Sequence, residues 1–108
     1  MTAGRGIIHS AAGRGADGCG FQLWINLPAS EKMKPAGYRD LERVKFQRWL
    51  SRRGQVKVIT GSSDLDGTQT RGAVERSSTD TLYLGITLNA GERFSQAVTA
   101  GHNVFVYP

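Results

Sequence analysis

Few residues of this 108-residue chain could bind a metal or attack a substrate. There are two histidines, His9 and His102, and a single cysteine, Cys19. A protein metal site takes three or four donors held by the fold, so two imidazoles far apart in sequence do not specify one. His102 lies inside a turn signal, Gly101-His102-Asn103, and reads as a turn residue. His9 follows the apolar pair Ile7-Ile8 at the end of a possible short strand, and Cys19 stands among glycines without a clear partner. Serines are plentiful, but none sits in a G-x-S-x-G elbow, and a triad also needs a correctly placed histidine. Gly13-Arg14-Gly15-Ala16-Asp17-Gly18 has G-x-G-x-x-G spacing. Dinucleotide chemistry requires a strand before that motif and a helix after it. Here a strand pattern follows, so the glycines read as a loop.

Charge is the other chemical resource. The net charge is +5. Between Glu31 and Lys57 there are nine Lys or Arg and three acids, so the rest of the chain is close to neutral. Trp24, Tyr38, Phe46 and Trp49 lie near this block. Aromatics interleaved with cations can stack bases. The simpler reading is a solvated basic face with the aromatics in a core or interface, and nucleic acid is not the expected partner. A polyanion-binding module over Lys32 to Lys57, with Arg48, Arg52 and Arg53 at its centre, is the alternative. One cysteine allows no internal disulfide, which fits a reducing compartment. The first twenty residues lack the apolar core of a secretory signal. No run approaches the roughly twenty apolar residues of a membrane span. The expected location is the cytoplasm.

The elements that must position these groups read as strands. In Phe21-Gln22-Leu23-Trp24-Ile25-Asn26-Leu27 the apolar residues alternate until Pro28 stops the pattern. Ala29 to Tyr38 reads as a loop with room for one helical turn at Ser30-Met33. Arg39 to Arg53 mixes helical and strand spacing and decides for neither. Val56-Lys57-Val58-Ile59-Thr60 is a short β-branched strand. Asp64 to Asp80 reads as a long polar connection, with one weak strand near Ala73 to Arg76. Leu82 to Leu88 alternates, Asn89-Ala90-Gly91 is a turn, and Phe94, Gln96 and Val98 alternate again. Val104 to Tyr107 begins a last strand. Short strands between turn signals indicate an all-β sandwich or barrel.

A more specific likeness lies in the residues themselves. Met1-Thr2-Ala3-Gly4-Arg5-Gly6-Ile7-Ile8-His9-Ser10 resembles the M-T-A-G-x-G-I-x-H-S-E signature of pirins. Phe21 to Pro28 looks like their L-Q-L-W-x-N-L-P strand. Lys32-Met33 and Tyr38-Arg39-Asp40-Leu41 are similar to the segments that follow it. Val56 to Gly61 resembles V-x-V-I-A-G. Leu82-Tyr83-Leu84 and Ala100 to Tyr107 look like the opening strands of a second pirin barrel. The likeness runs in order along nearly the whole chain.

Pirins are two-barrel cupins, so the resemblance implies part of an RmlC-like jelly-roll. Residues 1–28 would close the first barrel, 29–55 would form a basic linker, and 56–108 would open the second. In the family the first barrel holds one iron (Fe²⁺) through three histidines and a glutamate. Some members resemble quercetin 2,3-dioxygenases, and others are described as iron-dependent transcriptional co-regulators. Carried over by position, His9 matches the third histidine, and the glutamate position is Ala11. The other two histidines belong to a segment before the signature, where this chain does not reach. The expectation is a chain truncated at both ends relative to the family, without a cofactor and without catalysis of its own. It would associate with a protein partner, or with itself, through exposed sheet edges.

Overall fold

The computed structural model describes residues 1–10, 20–41, 46–74 and 78–108. Among those residues five strands form: β1 (Gln47–Ser51), β2 (Gly54–Thr60), β3 (Ser62–Leu65), β4 (Thr68–Arg71) and β5 (Tyr83–Leu88). One 3₁₀ turn, Ala29–Glu31, precedes them, and among the described residues there is no α-helix. The chain is all-β. No helix among those residues is long and apolar enough to cross a membrane.

The main sheet has the order β1-β2-β5 and both pairings are antiparallel. The register places Trp49 opposite Val56 and Val56 opposite Ile86. Because side chains alternate across a sheet, Trp49, Val56, Val58, Leu84 and Ile86 share one face. Val56 and Val58 are completely buried there. Leu65 completes the core, with Trp49, Leu84 and Phe94 packed against it. The expected strand at Val56–Thr60 is therefore the centre of the sheet, and it begins two residues earlier. A boundary at residue 55 falls inside β2, and β1 lies in the stretch expected as linker.

The connection from Asp64 to Asp80 was expected to lack strands before Ala73, and here the structure differs. β3 and β4 form a hairpin closed by Asp66 and Gly67, at φ 51° and 79°. Positive φ at both turn residues suits the right-handed twist of a hairpin, and Asp-Gly is a favoured pair for it. The Asp64 carboxylate accepts a hydrogen bond from the Gly67 amide at 2.9 Å. Of the weak strand near Ala73, a single parallel bridge between Thr60 and Val74 is seen, and residues 75–77 lie outside the described residues.

Two other expected strands are extended without a ladder. Phe21 to Leu27 and Val104 to Tyr107 pair with no neighbour among the described residues. Trp24, Phe105 and Val106 are 83%, 88% and 88% exposed. Alternation shows which face a strand would bury but does not supply a partner for its amides. The segment at 94–98 keeps half of its pattern. Phe94 packs on the core, and the Gln96 side chain accepts a hydrogen bond from the buried Ser63 hydroxyl, yet no ladder forms.

Candidate functional site

The segment bearing His9 is placed by a clasp between the chain start and the loop after the 3₁₀ turn. The Thr2 amide donates to the Gly37 carbonyl at 2.7 Å, and the Gly37 amide donates back to Thr2 at 2.9 Å. The Arg5 amide donates to the Lys34 carbonyl at 3.0 Å. Gly4 permits this approach: it lies at φ 53°, and a Cβ there would overlap the Lys34 carbonyl oxygen. Lys34 in turn pairs with Glu31 at 2.9 Å and hydrogen-bonds Ser78. The carboxyl of Glu31 is lowered from its ordinary value, first by the Lys34 hydrogen bond, then by Ser78 and the Lys34 charge.

Beyond the clasp the chain runs outward. Ile8 is fully exposed and His9 is exposed with it. His102 is also exposed, in the expected turn, its amide donating to the Thr99 carbonyl at 3.2 Å. Among the described residues no group of three or more His, Cys, Asp or Glu could hold a metal ion. Position 11, the Gly13–Gly18 motif and Cys19 lie outside those residues. A cupin iron needs several imidazoles and a carboxylate converging on one point. The donors described here do not fit it, since His9 stands on an open segment.

The basic block is better organised. Arg48 and Lys57 are cross-strand partners in β1 and β2, so both lie on the sheet face away from the core. Gly85 of β5 is opposite Lys57 on that face. The Lys57 ammonium sits 4.2 Å from the Phe46 ring centroid, a cation–π contact. At the β1–β2 turn, Asn89 holds the backbone from both sides. Its Nδ2 donates to the Arg52 carbonyl at 2.8 Å and its amide to the Arg53 carbonyl at 2.9 Å. At the other end of β2 lies an open hollow of about 320 Å³ lined by Thr60, Gly61, Val74, Ser78, Thr79, Asp80 and Thr81.

Comparison with known proteins decides the kinship. A Pseudomonas aeruginosa protein named "Putative quercetin 2,3-dioxygenase" is 44% identical over 99% of this chain and 39% of its own length. Pirin-1 of Arabidopsis thaliana is 38% identical, with 99% of this chain and 36% of that protein covered. Human pirin is 34% identical, again over 99% of this chain and 36% of its own length. This is a pirin-family sequence. It spans between about a third and two-fifths of the pirins it matches. No family model matches the chain, and no solved structure matches it significantly.

The pirin signature at the chain start thus has a structural use that sequence reading missed. Met1 to Gly6 and Lys32 to Gly37 look like separate motifs, but they are the two halves of the clasp. The signal was Gly4, a residue without a side chain where the backbone must pass close by. The face that collects Arg48 and Lys57 was legible only as net charge, because strand pairing sets which cations are neighbours.

Proposed function

We propose that this pirin-type cupin chain carries out no redox chemistry alone and acts by protein association. The observation that carries the reading is the position of His9, the one residue matching a family iron ligand, on an exposed and unpaired segment. A lone exposed imidazole supplies one donor and no negative charge, too little to retain iron against water. In this reading residues 1–28 belong to a first barrel and 56–108 to a second. The connecting region contributes β1 to the second.

Association has its own support. Large apolar side chains stand in water, among them Ile8, Trp24, Phe105 and Val106. Among the described residues β1 and β5 are both edge strands with one unpaired side. Such edges accept a further strand, from a second copy or from a protein partner.

The test is metal analysis and flavonol turnover of the purified chain with added Fe²⁺. The expected result is no stoichiometric iron and no turnover. About one iron per chain, abolished by His9→Ala, would overturn the proposal. The name of the Pseudomonas relative favours one rival reading, an iron dioxygenase whose centre is completed by another polypeptide. Turnover that appears only when such a polypeptide is added selects the rival.

A further inference from the structure

We propose that the outer face of the β1-β2-β5 sheet, with its Arg52-Arg53 tip, binds the phosphate backbone of single-stranded nucleic acid. The core-side face is covered by Leu65 and Phe94. The hairpin β3–β4 also lies on that side, since the Arg71 amide donates to the side chain of Gln47, which shares the face of Trp49. The opposite face is open along β1, where Arg48 is exposed and Leu50 is 70% exposed, while Gln55 and Lys57 beside them on β2 are half-buried. Pairing brings Arg48 and Lys57 side by side although they are like charges. Among the described residues no carboxylate forms an ion pair with Arg48, Arg52, Arg53 or Lys57. Two like charges placed directly opposite weaken a sheet unless an anion neutralises them.

The cations are also spaced in a line. From Arg48 to Ser51, the last residue before the Arg52-Arg53 turn, the strand advances roughly 10 Å. A single small anion cannot touch both ends, while a chain of phosphates can. Gly85 adds no side chain beside Lys57, so the row Arg48–Lys57–Gly85 is low at one end and admits a backbone. The exposed Leu50 and the Lys57-capped Phe46 give the same face apolar surface for bases. The Arg52-Arg53 tip is held in place by the two Asn89 hydrogen bonds, so it does not need to be ordered by the ligand.

The test is fluorescence anisotropy of a labelled oligothymidylate titrated with the full chain across a salt series, with inorganic polyphosphate as competitor. R52Q/R53Q, both in an exposed turn, should weaken binding about ten-fold. It should also reduce the slope of log affinity against log salt by about 1.4, roughly 0.7 for each lost phosphate contact. The single variant R48Q gives a second reading on the sheet itself, with a slope change about half as large. R5Q/R71Q makes the same charge change in the clasp and in the core-side hairpin, and should shift affinity less than about two-fold. Polyphosphate should compete. The proposal is overturned if the wild-type chain does not bind, if both double variants weaken it equally, or if polyphosphate fails to displace the oligonucleotide. It is also overturned if a polyglutamate peptide binds as tightly, since the face would then read charge alone.

Discussion

Gly4 lies directly against the main-chain carbonyl of Lys34, in a left-handed conformation, so the chain start and the loop after the 3₁₀ turn meet through a position with no side chain. Three backbone hydrogen bonds, from Thr2, Arg5 and Gly37, depend on that approach.

Gly4→Ala should therefore open the clasp. The left-handed backbone costs an L-residue about 1 kcal/mol or more, and the overlap with the Lys34 oxygen adds to it. Amide exchange of Thr2, Arg5 and Gly37 should accelerate at least about five-fold, while the amides of β2 stay protected. Unchanged exchange at Thr2 would show that the clasp does not form in solution.

Gly54 makes a similar demand inside the sheet. It lies at φ 145°, and a Cβ there would overlap the Thr87 carbonyl and stand 2.9 Å from the Leu88 Cα. Gly54→Ala should destabilise the fold by about 2 kcal/mol, more than Asn89→Ala, which removes one hydrogen bond worth about 1 kcal/mol. Urea denaturation followed by far-ultraviolet circular dichroism ranks the two. The reverse order contradicts the β2–β5 register.

The core is small enough for single methyl groups to matter. Val58→Ala should cost about 2 kcal/mol through lost burial and the cavity it leaves. Trp24→Ala, although it removes a far larger side chain, should change stability by less than about 0.5 kcal/mol, because Trp24 is mostly in water. Equal losses would mean that the 21–27 segment packs in solution.

The 3₁₀ turn should loosen in acid. Glu31 is depressed mainly by its hydrogen bond to Lys34. A carboxyl whose folded value lies below its unfolded value stabilises above the unfolded value, and the contribution disappears as pH falls through the folded one. The Glu31 carboxyl resonance should titrate below the ordinary glutamate range, and Lys34→Gln should bring it back up. Because the pair is partly open to solvent, added salt should shift it in the same direction. A midpoint indifferent to Lys34→Gln would rule out the pairing.

The central strands could be read from sequence because period-2 alternation and β-branching coincide at Val56–Thr60, and alternation alone holds at Leu82–Leu88. Each has the other as its partner in the sheet. Phe21–Leu27 has an equally regular pattern and forms no ladder among the described residues, since periodicity constrains faces and not neighbours. The β3–β4 hairpin escaped notice because its strands carry serine, threonine and aspartate. Its only strong mark is Asp66-Gly67, a dipeptide that specifies a turn by conformation and not by hydrophobicity. Of the candidate site, His9 and His102 were legible as isolated imidazoles. The adjacency of Arg48 and Lys57 was not, because it comes from a register fixed by Trp49, Val56 and Ile86 on the opposite face.

The Phe21 ring meets Tyr107 edge-on, with centroids 4.8 Å apart. This brings the stretch before β1 and the stretch after β5 together at one point, although both rings stay mostly exposed. Such a contact is worth about 1 kcal/mol beyond burial, too little by itself to hold two extended segments together. That joint should open readily, and a protease should find a foothold there.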